Sequence, residues 1–150
     1  MTLENLLAIH RLRPFDVTPA GVQRLLASAE RNFADAGLPK LSADNRFDTA
    51  YKTIMQCAMI GLWAKGYRTS TSQPGHHQTA LQTLPKTMGV AQDIVIVLDA
   101  LRKQRNLNDY EGDPITDAAV IECLAQAKDL LAHSRQWLQA QRPDLLIKEH

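Results

Sequence analysis

Phe47, Tyr51, Ile54, Ala58 and Leu62 recur at spacings of three and four residues, and that spacing restricts the architectures open to the chain. A 3.6-residue period gathers such positions on one side of an α-helix. The segment therefore predicts a long helix whose apolar stripe has to be covered by other elements. Ser42 stands ahead of it as a side-chain cap, and Gly66 marks its end. Similar punctuation recurs along the chain. Thr18-Pro19 opens a helix carrying Leu25, Leu26, Ala29 and Phe33, which Gly37 and Pro39 close. Val90, Ile94, Val97, Leu98 and Leu101 line a helix from about 90 to 106. Thr116 caps a last long helix, with Val120, Leu124, Ala127, Leu131 and Leu138 on one side, before Arg142-Pro143. Two short helices are predicted as well, Leu3 to Arg11 and His76 to Leu84, the second weakened at its end by Pro85.

No segment is read as a strand. The β-branched run from Ile94 to Leu98 keeps the helical period in its flanks. Short connections between long amphipathic helices imply antiparallel neighbours. The expected fold class is all-α, an up-and-down bundle of four main helices with two short additional helices. It forms a single domain over 1–150, with an N-terminal short helix within about 1–17 and a flexible tail over about 143–150.

At 150 residues, with 45% apolar and 22% charged residues, the chain can bury a core and wholesale disorder is excluded. Its 17 basic and 16 acidic residues give no cationic field able to coat a nucleic acid, so anion binding would depend on a local patch. No apolar run approaches the roughly 18 residues of a membrane span. The first ten residues carry Glu4 and lack the basic start and cleavage site of a secretory signal. The expected location is cytoplasmic. Cys57 and Cys123 fall inside helical patterns with no metal-ligand spacing around them, which predicts two buried thiols in a reducing compartment, no metal site and no cofactor.

Function concentrates at the end of the fifth helix. Leu101 to Gly112 reads Leu-Arg-Lys-Gln-Arg-Asn-Leu-Asn-Asp-Tyr-Glu-Gly. Three cations, two asparagines and a tyrosine crowd into about three turns. With Asn45 to Tyr51 on an earlier long helix and Gly75 to Thr79 before a short one, the segment from Asp99 to Gly112 resembles the signature of the HEPN superfamily of small helical bundles. The resemblance spans about residues 42 to 140. Many members carry an arginine, a polar neighbour, a short spacer and a histidine, and resemble metal-independent ribonucleases paired with a nucleotidyltransferase-type antitoxin. Arg105 and Asn106 match the first two positions, whereas Tyr110 stands where the histidine is usual.

The substitution bears on chemistry. Metal-free RNA cleavage needs a base for the 2′-hydroxyl and a cation for the phosphorane. A guanidinium serves the second role. A phenol is a poor neutral-pH base, ionising near pH 10 where an imidazole ionises near 6.5. Arg105, Asn106 and Tyr110 are the candidate catalytic residues that the resemblance implies, with Arg102, His76, His77 and Asp48 as candidate binding residues. His76 and His77 would supply the missing imidazole if their loop folds back toward Arg105. Each group also has a plainer role. Arg102 and Lys103 sit at helical spacing from Asp99 and near a helix end. Asp48 suits an early helical turn, and the two histidines can simply begin a helix after Pro74-Gly75. Trp63 and Trp137 are expected in the core or at a subunit contact.

Three functions follow as expectations. The first is a homodimer that binds RNA or nucleotide phosphate, or a protein partner, at a cleft between its copies. The second is a metal-independent endoribonuclease toxin with a nucleotidyltransferase-type antitoxin as partner. The third is a non-catalytic scaffolding bundle.

Overall fold

The computed structural model describes residues 2–72 and 74–147. In chain order the elements are α1 (Leu3–Ala8), β1 (Leu12–Pro14), α2 (Pro19–Ala36), α3 (Ala43–Ala64), β2 (Tyr67–Thr69), α4 (His76–Gln82), α5 (Leu84–Thr87), α6 (Gln92–Glu111), α7 (Asp117–Gln141) and a closing 3-10 turn (Pro143–Leu146). The fold is mostly helical, with one small sheet among the described residues.

Helix starts follow the capping chemistry of the sequence. The hydroxyls of Thr18, Ser42 and Thr116 accept hydrogen bonds from the backbone N–H groups of Gly21, Asn45 and Ala119. Each satisfies a donor that the first helical turn would leave unpaired.

Helix α3 is the centre of the molecule, with α2 and α7 packed along it. The stripe from Phe47 to Leu62 is at most 2% exposed at each of its five positions. Val120, Ala127, Leu131 and Leu138 of α7 are buried, with Leu124 half-buried. Helix α6 differs, burying only Val95, Leu98 and Leu101. It leans on α4 and α3, and its second half stands clear of the core. Gly112 closes it in the left-handed region at φ 72°, where a residue without a Cβ meets no strain.

Several expectations change. A sheet exists: β1 and β2 pair antiparallel with Leu12 opposite Thr69, Arg13 opposite Arg68 and Pro14 opposite Tyr67. Three-residue strands are too short to show a two-residue period, and their partners lie far apart in sequence. Helix α6 runs on to Glu111, beyond the end expected near 106, so Leu107 to Tyr110 is helical as well. The predicted His76–Leu84 helix breaks at Thr83, and Pro85 sits in the first turn of α5. There its missing N–H costs nothing. The predicted loose tail is docked as far as Ile147: Leu145 is 2% exposed, and the Gln23 amide donates to the carbonyls of Leu145 and Ile147. The remainder of that predicted tail, 148–150, lies outside the described residues.

Candidate functional site

Positions 48, 51, 52, 55, 56 and 59 share one side of α3, and Asp48, Tyr51, Lys52, Met55, Gln56 and Met59 form one wall of a cavity of about 510 Å³. Leu25 from α2, His77 from α4 and Arg105 from α6 complete it. Three helices distant in sequence thus contribute an arginine, a phenol and an imidazole to one space.

Arg105 is bound on two sides. Its Nε donates to Asp48 Oδ1 at 3.1 Å, and its Nη2 lies 3.4 Å from Asp109 Oδ2. Neither contact uses Nη1. The guanidinium carbon stands 5.3 Å from the centre of the Tyr51 ring, within range of a cation–π attraction. Burial works against the charge, but the Asp48 hydrogen bond and the two carboxylates outweigh it and hold the guanidinium protonated more firmly than usual.

The Tyr51 hydroxyl lies 3.3 Å from His77 Nδ1. Burial pushes the Tyr51 phenol up to about 12, against the pull of Arg105 and Arg102, so it keeps its proton. Burial also pushes the His77 imidazole down to about 4, helped by repulsion from His76, Arg105 and Arg102. At neutral pH the pair is a protonated phenol facing an uncharged imidazole. Donation from Tyr51 O–H to Nδ1 satisfies the phenol and leaves the proton of His77 on Nε2. Donation in the opposite sense leaves Nε2 with a free lone pair. His76 meets His77 edge-on at 4.6 Å.

The predicted site residues divide between several places. Arg105, Asp48 and His77 line the same cavity. Asn106 and Tyr110 line a different, shallow depression with Lys103, Leu107 and Glu111, and Tyr110 is 83% exposed. Within one chain, then, the expected grouping of Arg105, Asn106 and Tyr110 in one cleft does not form. Helical geometry explains the division, since i and i+4 share a side whereas i+1 and i+5 turn away. Asp109 therefore accompanies Arg105, and Tyr110 accompanies Asn106. Arg102 is held by Asp99 at 2.7 Å, with Lys103 at 3.6 Å from the same carboxylate.

Against family models and curated proteins, the chain matches none.

His76 lines a second cavity of about 280 Å³ with Trp63 and Arg68, and the two cavities share Met55, Met59 and His77. Among the described residues no cluster of His, Cys, Asp or Glu could hold a metal ion. Cys57 and Cys123 are buried free thiols, pushed up to about 12 by burial, and so are inert as nucleophiles. Tyr51 and Lys52 were not expected in the site. Tyr51 reads as core stripe, and only its hydroxyl, which needs a partner once buried, signals otherwise.

A cation over an aromatic face, a neutral imidazole and a methionine floor suit a ligand with a flat apolar part and an anionic group. To reach the guanidinium directly, such an anion can use Nη1 or the second hydrogen of Nη2, or displace a carboxylate.

Proposed function

We propose that this is a HEPN-like protein that binds RNA or nucleotide phosphate in the cavity around Arg105 and His77, and that it works as a cytoplasmic homodimer. The observation that carries the proposal is the link from Arg105 through Tyr51 to His77 across one cavity. Helices α2, α3, α6 and α7 would be the four members of its up-and-down bundle. Support for the dimer comes from α6, where Ile96, Ala100, Lys103, Leu107 and Tyr110 are all exposed. They recur at alternating spacings of four and three, the pattern of a helix–helix seam. A nucleotidyltransferase-type antitoxin partner rests on the signature alone. Anisotropy with labelled single-stranded RNA, and calorimetry with AMP, test the binding. Arg105→Ala should weaken both at least tenfold, and unchanged affinity in that variant would remove the site from the proposal.

A second reading, metal-independent endoribonuclease, is favoured by the neutral imidazole of His77 in the cavity of Arg105. His77 Nε2 would take the 2′-hydroxyl proton. The 2′-oxygen then bonds to phosphorus and the bond to the 5′-oxygen breaks, giving a 2′,3′-cyclic phosphate, while the leaving oxygen takes a proton from water. Arg105 would stabilise the phosphorane. A base weakened to about 4 makes the step slow. Cleavage in chelator that disappears in both His77→Ala and Arg105→Ala supports it; RNA left intact rules it out.

A further inference from the structure

The small sheet carries a charge arrangement that its stability does not require. Arg13 and Arg68 are direct register partners across β1 and β2, so their side chains leave the same face. Both are exposed. Like charges directly opposite one another destabilise a strand pair, and among the described residues neither arginine has a salt-bridge partner. Every arginine of the Arg105 region, by contrast, is tied to a carboxylate.

An aromatic stack supports this cationic pair. The Arg68 guanidinium carbon lies 6.0 Å from the centre of the Phe15 ring. Phe15 in turn stacks on Trp63 with centroids 4.6 Å apart and planes inclined by 27°. Trp63 and Arg68 both line the second cavity, which adjoins the first and shares Met55, Met59 and His77 with it. The combined groove therefore has Arg105 and Lys52 at one end and Arg68 with Arg13 beyond it at the other. Its length follows from α3: Tyr51 and Trp63 are separated by a helical rise of about 18 Å.

We infer that the whole groove is a track for single-stranded nucleic acid, with one backbone phosphate at Arg105 and a later one at the Arg13–Arg68 pair. A mononucleotide cannot span the two cationic ends, whereas a strand of a few nucleotides can, with its bases against the methionines and Trp63. Two features favour a polyanion over an apolar peptide helix: the cations stand at both ends, and the distal pair has no carboxylate to share its charge. Alternating cations and aromatic faces are the usual means of holding single strands without sequence preference. The inference rests on the binding site proposed around Arg105 and adds the single-stranded form of the ligand and a second phosphate position.

The test compares wild type, Arg13→Ala/Arg68→Ala and Arg105→Ala with AMP and with a labelled single-stranded RNA of about eight nucleotides. The double variant should bind the RNA at least tenfold more weakly, with a shallower dependence of log affinity on log salt, and bind AMP as wild type does. Because it relieves a like-charge pair, its Tm should be unchanged or higher, so loss of fold would not account for the result. RNA affinity and salt slope equal to wild type would overturn the track and leave the Arg105 site standing. If wild type binds neither AMP nor RNA, the Arg105 site and the track fail together. If an amphipathic peptide competes for the groove while RNA does not bind, the occupant is a protein and the inference is wrong.

Discussion

Arg105 reaches from α6 to α3 and holds its guanidinium 5.3 Å from the ring centre of Tyr51, with Asp48 on the same helix accepting its Nε proton at 3.1 Å. The contact does two things at once. It fastens the loosely packed half of α6 to the central helix, and it sets a cation at the mouth of the cavity. The fastening and the proposed binding should respond to different substitutions.

Arg105→Ala removes both roles, and its stability cost should be about 1 kcal/mol. The pair with Asp48 is partly exposed and therefore screened, and the cation–π contact is similarly modest. Asp48→Asn separates the roles. It keeps an oxygen that Nε can donate to but removes the competing negative charge, so phosphate affinity should rise several-fold while stability falls by less than about 1 kcal/mol. Urea denaturation and AMP titration measure the two quantities. Weaker AMP binding in Asp48→Asn would show that Arg105 needs its carboxylate and serves chiefly as a fastener.

Tyr51→Phe keeps the ring, its packing and the cation–π face, and removes only the hydroxyl that meets His77. The expected loss of stability is about 1 kcal/mol. The more telling readout is the nitrogen spectrum of His77. If the phenol donates to Nδ1, wild type shows the Nε2–H tautomer, and the variant releases the ring into a mixture. A wild-type Nδ1–H tautomer would instead leave Nε2 as a free base, and would move weight to the ribonuclease reading.

The pH dependence follows from the same imidazole. His77 titrates near 6.5 unfolded and about 4 folded. Above pH 6.5 neither state binds the proton and there is no effect. Between 6.5 and 4 the unfolded chain takes up a proton that the folded chain refuses, so stability falls as pH falls and levels off below 4. Because the ring is only half-buried, solvent screening reduces the effect to about 1 kcal/mol. A His77→Ala variant should lose that portion of the decline, as measured by Tm between pH 7 and 4. The ring resonances of His77 should stay unshifted until near pH 4; a midpoint near 6.5 would contradict the burial assigned to it.

Much of the fold is written in local chemistry, and the site much less so. Thr18, Ser42 and Thr116 announce their helices because a cap acts within three residues. The Phe47 to Leu62 stripe is legible because one helix face is buried throughout. Leu12–Pro14 and Tyr67–Thr69 are not, since each depends on a partner more than fifty residues away. At the site, the resemblance directs attention to Arg105, and helix periodicity then separates it from Tyr110 once α6 is known to continue to Glu111. The meeting of Arg105 with His77 depends on where α4 lies against α3 and α6, and no local pattern encodes that.

Packing between α3 and α5 gives an independent check on the core. Thr87 Oγ1 is buried and has no hydrogen-bond partner among the described residues. Thr87→Val keeps the shape and removes the unmet hydroxyl, so it should stabilise by about 1 kcal/mol. Gly61 presents the opposite case. A Cβ there would stand 2.7 Å from Thr87 Oγ1 and 3.1 Å from Met88 Cγ. Gly61→Ala should therefore destabilise by about 1–3 kcal/mol despite its better helix propensity. Thermal unfolding of the two variants reads both signs, and a stabilised Gly61→Ala would mean that α5 is free to move away.

The exposed stripe of α6 is where the proposed homodimer would form. Ile96 is 64% exposed, Leu107 44% and Tyr110 83%, and the helix buries few of its own side chains elsewhere. Antiparallel pairing of two such helices would cover Leu107 of one copy with apolar groups of the other, and would bring each copy's Tyr110 depression against its partner. Lys103 lies in the middle of the stripe and limits the strength of such a seam, which predicts a dimer that dissociates on dilution. Lys103→Leu should tighten it and Leu107→Lys should break it, both read by light scattering and sedimentation over a concentration series. Neither residue lines the Arg105 cavity, so AMP binding should survive in the Leu107→Lys monomer. RNA binding that disappears with the dimer while AMP binding persists would place part of the nucleic-acid surface across the two copies. A wild-type protein that stays monomeric at every concentration would leave the α6 stripe to a different partner and remove the homodimer from the proposal.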